Sequence, residues 1–290
     1  MLICNDWIGY ELIDCSNGEK LERWKDIYLL RPDPQVIWDN GDLRKKYNNI
    51  INSHYHRSNK GGGYWENLKK TKEYWNVKYK DFTFNIKQMG FKHTGLFPEQ
   101  AINWDFFVDK IKKSKRNINV LNLFAYTGGA TVACLSANAS VVHVDSSRGM
   151  VDWAKENVKS SGLDDRNVRY IVDDVLKFVN REIRRGHKYD AIIMDPPSYG
   201  RGSNNEVWDI EKDLYNLVSL CTELLSDNPL FFVINSYTTG LSQEVFNNIL
   251  KLTVGKKYNG KIYSEEIGIP MKNSDLVLPC GICSRFESNE

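Results

Sequence analysis

The sequence predicts an α/β protein with a doubly wound, mostly parallel sheet and a smaller β-rich domain at the N-terminus. Three observations support this. From residue 120 onward, short apolar runs alternate with helical segments, which is typical of parallel sheets. A glycine turn joins the first of these runs to a helix of small residues. Residues 1–92 instead show short strand-like segments separated by turn residues. We therefore expect two domains, residues 1–92 and residues 93–290.

Composition sets the broad class of the protein. The chain has 290 residues, of which 41% are hydrophobic and 26% charged, with a net charge of +2; this is a globular balance. No apolar run reaches the length of a membrane helix, and the first ten residues lack a secretory pattern. The six cysteines have no disulfide spacing, and the lone C-x-x-C pair of Cys280 and Cys283 predicts no zinc site. We expect a cytoplasmic protein without a membrane or metal partner, in an undetermined oligomeric state.

The N-terminal part is read as strands at residues 10–14, 27–30, 75–79 and 82–86. Residues 54–63 are read as a basic loop. Its His54 and His56 could be ligands, but because no carboxylate or cysteine accompanies them in the sequence they are read as surface residues. Residues 44–80 contain ten lysines and arginines against two acids, interleaved with aromatic residues. Two interpretations stay open: a solvated face that carries sheet aromatics, or a face that holds phosphates and stacks on bases.

An amphipathic helix over residues 101–115 leads to the central stretch, residues 120–130, which reads V-L-N-L-F-A-Y-T-G-G-A. A strand (residues 120–124), the glycine turn, a helix (130–138) and a strand (141–144) ending on Asp145 form the layout of a nucleotide-binding unit. Glycine reaches positive φ and permits close backbone approach, and a helix N-terminus favours negative charge. Asp145 lies 17 residues after Gly128, close to the ~20 expected of a ribose-binding acid. The predicted cofactor contacts here are Phe124, Tyr126, Thr127, Gly128, Gly129, Asp145 and Ser146.

The type of glycine turn discriminates between cofactors. Adjacent glycines replace the G-x-G-x-x-G of dinucleotide sites, and a pyrophosphate needs more bare backbone than this turn offers. S-adenosyl-L-methionine, whose anion is a carboxylate, fits better than NAD. The turn can also be explained as a purely structural bend.

The remaining elements continue the alternation. Asp173 and Asp174 follow the next strand, where one carboxylate can accept the adenine amino group and the other can cap a helix; Asp174 is the favoured ligand contact. The predicted strands are residues 168–172, 191–194 and 231–235, the helices are 149–160, 175–185, 211–225 and 242–252, and a closing hairpin is formed by 262–269 and 280–286.

A rigid corner follows the strand at residues 191–194. It reads D-P-P-S-Y-G, and two prolines fix φ and remove two N–H donors. Asp195 and the carbonyls of Pro196 and Pro197 are expected to form a set of acceptors beside the cofactor, and Tyr199 offers a flat face for a planar substrate. These four residues are the predicted catalytic group, and Asp195 is also a predicted cofactor contact.

These motifs resemble the class I, Rossmann-like, S-adenosylmethionine-dependent methyltransferases. The segments L-N-L-F-A-Y-T-G-G-A, V-D-S-S, D-D-V, D-P-P-S-Y and T-G-L-F-P-E-Q (residues 94–100) are most similar to the bacterial 23S rRNA large-subunit methyltransferase group, over about residues 91–285. The resemblance implies the ribose on Asp145, the adenine near Asp174, the catalytic corner at Asp195 to Tyr199, and cofactor contacts by Glu99 and Gln100.

One departure from the group bears on the reaction. Cytosine-5 members use a cysteine after the fifth strand, but residues 234–239 read I-N-S-Y-T-T without a thiol. Cys283 is a weak substitute, because its apolar neighbours suggest a core position. We therefore expect methylation of a nitrogen on a base of ribosomal RNA. The alternatives are a protein or small-molecule methyltransferase and a catalytically idle RNA-binding module; an NAD-dependent oxidoreductase is disfavoured by the glycine pattern.

Overall fold

The structure, a computed structural model, describes residues 1–58, 62–201, 206–238 and 240–289. The chain divides into two compact units. The N-terminal unit contains residues 3–101 and 268–280, and the C-terminal unit contains residues 1–2, 102–267 and 281–290. Residues 268–280 therefore return to the N-terminal unit, a feature that no sequence pattern indicated.

Short antiparallel strands make up most of the N-terminal unit. After β1 (Leu2–Ile3), the elements are β2 (Tyr10–Ser16), β3 (Glu19–Trp24), β4 (Ile27–Pro32), α1 (Leu43–Lys46), β5 (Ser53–Arg57), β6 (Gly63–Asn67), β7 (Tyr74–Tyr79) and β8 (Phe82–Lys87). One sheet has the order β2-β3-β4-β5-β6, and β7 pairs with β8. Asn17 and Gly18, with φ of 50° and 80°, form the two-residue turn between β2 and β3, where positive φ matches the twist of the strands. The predicted β-rich N-terminal part is thus confirmed.

The loop predicted at residues 54–63 is wrong over most of its described length. Residues 54–57 belong to β5, and Gly63 begins β6. Pairing with β4, in which Leu30 lies opposite His54, accompanies burial of residues 53–55. The predicted surface position is therefore wrong for His54, whereas His56 is half-buried. Polar residues such as Ser53 and His54 hide the strand from a search based on hydrophobic periodicity. Residues 59–61 of the predicted loop lie outside the described residues.

The C-terminal unit alternates strands and helices as predicted. A 3₁₀ turn (Pro98–Gln100) of the N-terminal unit leads into the helix that begins this series, α2. The elements are α2 (Ala101–Ser114), β9 (Asn119–Leu123), α3 (Gly129–Ser136), β10 (Ser140–Asp145), α4 (Arg148–Ser160), β11 (Val168–Val172), α5 (Val175–Arg184), β12 (Ala191–Met194), β13 (Tyr199–Arg201), β14 (Val207–Asp209), α6 (Ile210–Glu223), β15 (Phe231–Ser236), α7 (Gln243–Leu252), α8 (Val254–Lys257), β16 (Gly260–Pro270) and β17 (Val277–Ser288).

The strand order β1-β16-β17-β15-β12-β9-β10-β11 confirms the doubly wound sheet. Pairing from β15 through β12, β9 and β10 to β11 is parallel, and β17 runs antiparallel to β15. Strand β12 is wholly apolar and almost all of β9 is buried, because both faces of the sheet are covered. Their carboxyl ends meet at one edge, where ligands of such sheets bind. None of the described helices is long and apolar enough to cross a membrane.

Candidate active site

The glycine turn after β9 is held in an uncommon backbone conformation. Phe124, Tyr126 and Gly128 have φ of 53°, 50° and 83°. Left-handed conformations of non-glycine residues cost of order 1–3 kcal/mol and cluster at functional sites. Hydrogen bonds fix the bend: the Ala125 N–H donates to the Val144 carbonyl at 3.0 Å. The turn is therefore formed by the protein itself and needs no ligand to shape it.

The two glycines of the turn pack against helices of the same unit. A Cβ at Gly128 would lie 2.9 Å from the Cβ of Ala154, and one at Gly129 would lie 2.7 Å from a ring carbon of Trp104. Both distances are too short for carbon atoms in contact. The sequence indicated close approach to a ligand, whereas the nearest neighbours of these positions are α4 and α2. The glycines thus draw the turn tightly onto its supporting helices.

Asp145 lies at the end of β10 beside this turn. Its Oδ2 accepts the Tyr126 N–H at 2.9 Å, and its Oδ1 accepts the Ser147 N–H at 2.8 Å. Burial raises the pKa of this carboxyl, and the two backbone N–H groups act in the opposite direction. A carboxylate has about four acceptor positions, so these two bonds leave acceptor capacity for two hydroxyl donors. Ser146, the next predicted contact, is exposed on the same turn.

Polar side chains beneath the turn were missed by the sequence analysis. Asn122 Nδ2 donates to Thr131 Oγ1 at 3.0 Å, and that hydroxyl lies 2.9 Å from His143 Nδ1. Burial lowers the pKa of His143 to about 3, which keeps the ring neutral. Asn157 Nδ2 donates to the Thr127 carbonyl at 2.8 Å. The sequence feature that could have indicated them is a polar residue within each mostly apolar strand, Asn122 in β9 and His143 in β10.

The acids after β11 form bonds within the protein. The Asp173 N–H donates to the Asp145 carbonyl at 3.1 Å, so the structure brings these two strand ends together. Asp173 Oδ1 accepts the Asp174 N–H at 2.8 Å, and its Oδ2 pairs with Arg181. Asp174 caps α5 by accepting the Lys177 N–H at 2.9 Å through Oδ1 alone. Both oxygens of Asp173 are thus engaged, whereas the cap uses one oxygen of Asp174.

The D-P-P-S-Y corner begins where β12 ends. The Asp195 N–H donates to the Leu123 carbonyl at 3.4 Å, which continues the pairing of β12 with β9. The Pro197 carbonyl accepts the Trp208 Nε1–H at 2.6 Å, so it is engaged by the protein, contrary to its expected role as an acceptor for the ligand. The Trp208 ring also packs on Phe124, with 5.0 Å between ring centroids.

The corner runs into a small hairpin that the sequence did not predict. In β13, Tyr199 pairs with Asp209 of β14, and residues 202–205 between the two strands lie outside the described residues. Ser198 Oγ lies 2.6 Å from Thr238 Oγ1, which links the corner to the segment after β15. The Tyr199 side chain is 57% exposed. The corner thus presents an aromatic face to solvent beside the glycine turn.

Cys283 belongs to a buried polar chain. Asn103 Nδ2 donates to Asn235 Oδ1 at 2.9 Å, Arg285 Nη2 donates to Asn103 Oδ1 at 2.6 Å, and Arg285 Nε donates to Cys283 Sγ at 3.3 Å. Burial raises the pKa of the Cys283 thiol, although Arg285 opposes this. The predicted buried position is correct, but the neighbours are polar rather than apolar. A fully buried, protonated thiol is not a nucleophile.

Glu99 and Gln100 lie in the 3₁₀ turn of the N-terminal unit, where both side chains are buried. Burial raises the pKa of Glu99 to about 7, although the charge of Lys20 acts in the opposite direction. Their predicted contact with the cofactor stays a prediction.

The hydrogen-bonding groups at the strand ends fit S-adenosylmethionine. Asp145 offers acceptor capacity to ribose hydroxyls, and the preformed turn precedes a helix N-terminus that favours a carboxylate. The sequence profile of the S-adenosylmethionine-dependent methyltransferases matches residues 37–244. This chain therefore belongs to the S-adenosylmethionine-dependent methyltransferase family, and S-adenosylmethionine is its cofactor. The resemblance that the motifs indicated is confirmed.

Individual relatives agree with this family. The crystal structure of the SAM-dependent methyltransferase from Agrobacterium tumefaciens is 32% identical, has a TM-score of 0.92, and is matched over 99% of this chain and 93% of that one. Ribosomal RNA large subunit methyltransferase K/L of Shewanella frigidimarina is 34% identical over 147 residues, which are 50% of this chain and 20% of that protein. Ribosomal RNA large subunit methyltransferase K of Neisseria meningitidis is 34% identical over 126 residues, 42% of this chain and 36% of that protein. The chain thus matches only a minor part of these two curated relatives.

Proposed function

We propose that this protein transfers a methyl group from S-adenosylmethionine to a nitrogen on a base of ribosomal RNA. The corner after β12 is the observation that carries the proposal. Asp195 is half-buried at the end of the strand, and the exposed Tyr199 ring follows four residues later. An acceptor and an aromatic face at one strand end suit a planar ring that bears an amino group.

Each group has a distinct role in the proposed reaction. S-adenosylmethionine supplies an activated methyl group, so the protein has to align the acceptor rather than provide strong acid catalysis. Asp195 and the Pro196 carbonyl accept hydrogen bonds from the acceptor amino group, and Tyr199 stacks on its ring. Pro197 contributes rigidity, because its carbonyl holds Trp208. The glycine turn, Asp145 and Asp174 hold the cofactor.

The properties of the cysteines favour a nitrogen, rather than C5 of cytosine, as the atom that accepts the methyl group. Covalent C5 chemistry needs an accessible thiolate, and residues 234–239 contain no cysteine. Cys283, which lies opposite Asn235 in the sheet, is fully buried with a raised pKa. A base in RNA has to be presented in a loop or unstacked before it reaches such a corner.

The RNA assignment draws on the names of the relatives and on the N-terminal unit, which we propose as the RNA-gripping part. Several aromatic residues of the basic stretch, Tyr55, Trp75 and Tyr79, are buried in its sheets. Exposed cations remain at several places along the stretch, and three of them, Lys69, Lys70 and Lys72, lie in one short segment with the exposed ring of Tyr74. Cations hold phosphates without reading sequence, and an exposed ring stacks on a base.

The test is methyl transfer from tritiated S-adenosylmethionine into total RNA and total protein of cells that lack this gene, so that the target is unmethylated. We expect label in ribosomal RNA, and nucleoside mass spectrometry is expected to place the methyl on a base nitrogen. Label in protein would support a protein methyltransferase, and a C5-methyl base would overturn the nitrogen assignment. A chain that binds no S-adenosylmethionine in calorimetry would support the idle RNA-binding module.

RNA binding by the N-terminal unit is tested in a separate experiment. Replacing Lys69, Lys70 and Lys72 by glutamine is expected to weaken RNA binding and to reduce the slope of log K against log salt by about one per lost phosphate contact. The matched control replaces Lys112, Lys113 and Lys115, three exposed lysines of the C-terminal unit. Equal weakening by both sets would contradict a specific role for the segment.

A further inference from the structure

Three metal-ligating side chains come together on the hairpin formed by β5 and β6. His54 and His56 are alternate residues of β5 and therefore share one face of the strand. Glu66 lies directly opposite His54 in the antiparallel pair, and Tyr64 lies opposite His56. One ligand atom from each of His54, His56 and Glu66 lies within 4.8 Å of the other two. Pairing thus supplies the carboxylate that is distant from the histidines in the sequence.

The surroundings of His54 favour a further ligand. Its side chain is 10% exposed, and Nε2 lies 2.6 Å from Oε1 of Glu19. Nδ1 is buried and has no hydrogen-bond partner among the described residues. Buried polar atoms are nearly always paired, so an orphaned ring nitrogen requires an explanation. A carboxylate on one nitrogen of a histidine is the arrangement that orients the other nitrogen toward a metal ion.

His56 and Glu66 lie close enough together to bind one ion after a small separation of their ligand atoms. His56 Nε2 lies 2.9 Å from Glu66 Oε2, and two ligands bound about 2 Å from a tetrahedral ion lie roughly 3.3 Å apart. The His56 ring is stacked on Tyr64 with centroids 5.1 Å apart, and it lies 4.0 Å from the His54 ring. Both side chains are partly exposed, at 33% and 43%, which leaves room for water and for entry of an ion.

We propose that His54, His56 and Glu66 bind a divalent transition-metal ion, with zinc the best match and water as the fourth ligand. Imidazole nitrogens with one carboxylate are a typical zinc ligand set, whereas calcium and magnesium prefer oxygen alone. The ion joins the two neighbouring strands β5 and β6. Its role is to clamp this hairpin, since the three ligands are far from the glycine turn in sequence and belong to the other unit.

Hydrogen bonds without a metal ion are an alternative explanation for the cluster of His54, His56 and Glu66. The His54–Glu19 and His56–Glu66 contacts satisfy one nitrogen of each histidine and one oxygen of each glutamate without an ion, and Arg44 Nη2 lies 4.0 Å from Glu66 Oε1 as an additional cation. This alternative leaves His54 Nδ1 unexplained. It also predicts that the hairpin takes up no metal, so the two explanations differ in a direct measurement.

The experiment uses the untagged full chain, stripped with chelator and titrated with zinc chloride in a calorimeter, and with cobalt(II) followed by visible absorption. We expect one equivalent of either metal and an intense d–d band of a tetrahedral cobalt site. Substitution of His56→Gln or Glu66→Gln is expected to weaken binding at least roughly tenfold. His187→Gln is the matched control, since His187 is another half-exposed histidine paired with a glutamate.

Each outcome decides the proposal. Loss of the stoichiometric site in both hairpin variants but not in the control supports it. Absence of stoichiometric metal in the native chain, or equal affinity in all four proteins, overturns it. Circular dichroism and S-adenosylmethionine binding, which the hairpin variants are expected to retain, separate loss of metal from loss of fold and leave the proposed methyl transfer unaffected.

Discussion

Asp145 of the C-terminal unit and Glu22 of the N-terminal unit are carboxylates that the protein holds in opposite ways. In the C-terminal unit, two backbone N–H groups hold Asp145, and burial raises its pKa. In the N-terminal unit, Glu22 is buried, and its oxygens lie 2.6 Å from Arg31 Nε and 2.8 Å from the Tyr10 hydroxyl. Burial alone would raise the pKa of Glu22, but the charges of Arg31 and Lys20 hold it at about 2.

This difference matches the proposed role of Asp145 as a cofactor ligand and the role of Glu22 in a structural ion pair. Partial charges of backbone N–H groups position a carboxylate and leave it acceptor capacity for hydroxyl donors. An arginine and a lysine instead neutralise the carboxylate, and its removal leaves uncompensated charge in the core. Substitution of Asp145 should therefore affect cofactor binding, whereas substitution of Glu22 should affect folding.

The largest expected effect concerns Asp195, a third carboxylate. Asp195→Ala is expected to reduce methyl transfer at least about a thousand-fold, equivalent to about 4 kcal/mol, because the acceptor loses its orientation. S-adenosylmethionine affinity, measured by calorimetry, should change by less than roughly threefold. Asp145→Ala should instead weaken S-adenosylmethionine binding roughly 10–100-fold. Equal loss of cofactor affinity in the two variants would contradict this division of roles.

Glu22→Ala is expected to destabilise the protein by about 3–5 kcal/mol, because Arg31 and Lys20 then lack their shared partner in the core. Urea unfolding followed by tryptophan fluorescence measures the change. Glu73→Ala, which removes an exposed glutamate of the same unit, should change stability by less than about 0.5 kcal/mol. A loss for Glu22→Ala no larger than that of the control would mean that the cluster contributes nothing to folding.

Glu99 gives the N-terminal unit a pH dependence of known sign. Its folded-state pKa of about 7 lies above that of a free glutamate, so the folded state binds the proton more tightly. Its contribution to the free energy of unfolding is present in full below about pH 4.3. That contribution is lost as pH rises toward 7, and the total loss is about 3–4 kcal/mol.

Glu99→Gln should remove the fall in unfolding free energy that ionisation of Glu99 causes as pH rises. The buried histidines His93 and His143, whose pKa values are lowered, act in the opposite direction over an overlapping range. The informative quantity is therefore the difference between the native and variant curves of unfolding free energy against pH. If that difference stays constant from pH 4.5 to 7, Glu99 does not carry a raised pKa in the folded protein.

The smallest predicted effect is on Asn157, which supports the glycine turn. Asn157→Ala leaves the buried Thr127 carbonyl without its 2.8 Å donor, which costs about 1–3 kcal/mol. We expect S-adenosylmethionine affinity to weaken roughly tenfold, since about 1.4 kcal/mol corresponds to that factor. Asn180→Ala, whose amide also donates to a backbone carbonyl but on the exposed side of α5, is the matched control and should leave affinity unchanged. A turn that tolerates both substitutions equally would be held by its backbone conformation alone.

Predictability from sequence differed between the two units. In the C-terminal unit, β12 is wholly apolar and β9 and β11 are mostly apolar. The acids and the diproline stand at strand ends, so the positions of the motifs followed from local pattern. In the N-terminal unit, β5 alternates histidine with serine, tyrosine and arginine, and its burial depends on pairing with β4. The β13–β14 hairpin was missed for the same reason, because its strands are short and partly polar.

The sequence by itself determined the class of fold, the order of elements in the C-terminal unit and the residue types at the strand ends. Tertiary structure alone decided how those residues are used. It placed Trp208 on the Pro197 carbonyl, packed Gly129 against Trp104, assigned Asp174 to a helix cap, and brought Glu66 opposite His54. The physical reason is that periodicity reflects neighbours along the chain, whereas side-chain partners depend on strand register and helix packing between distant segments.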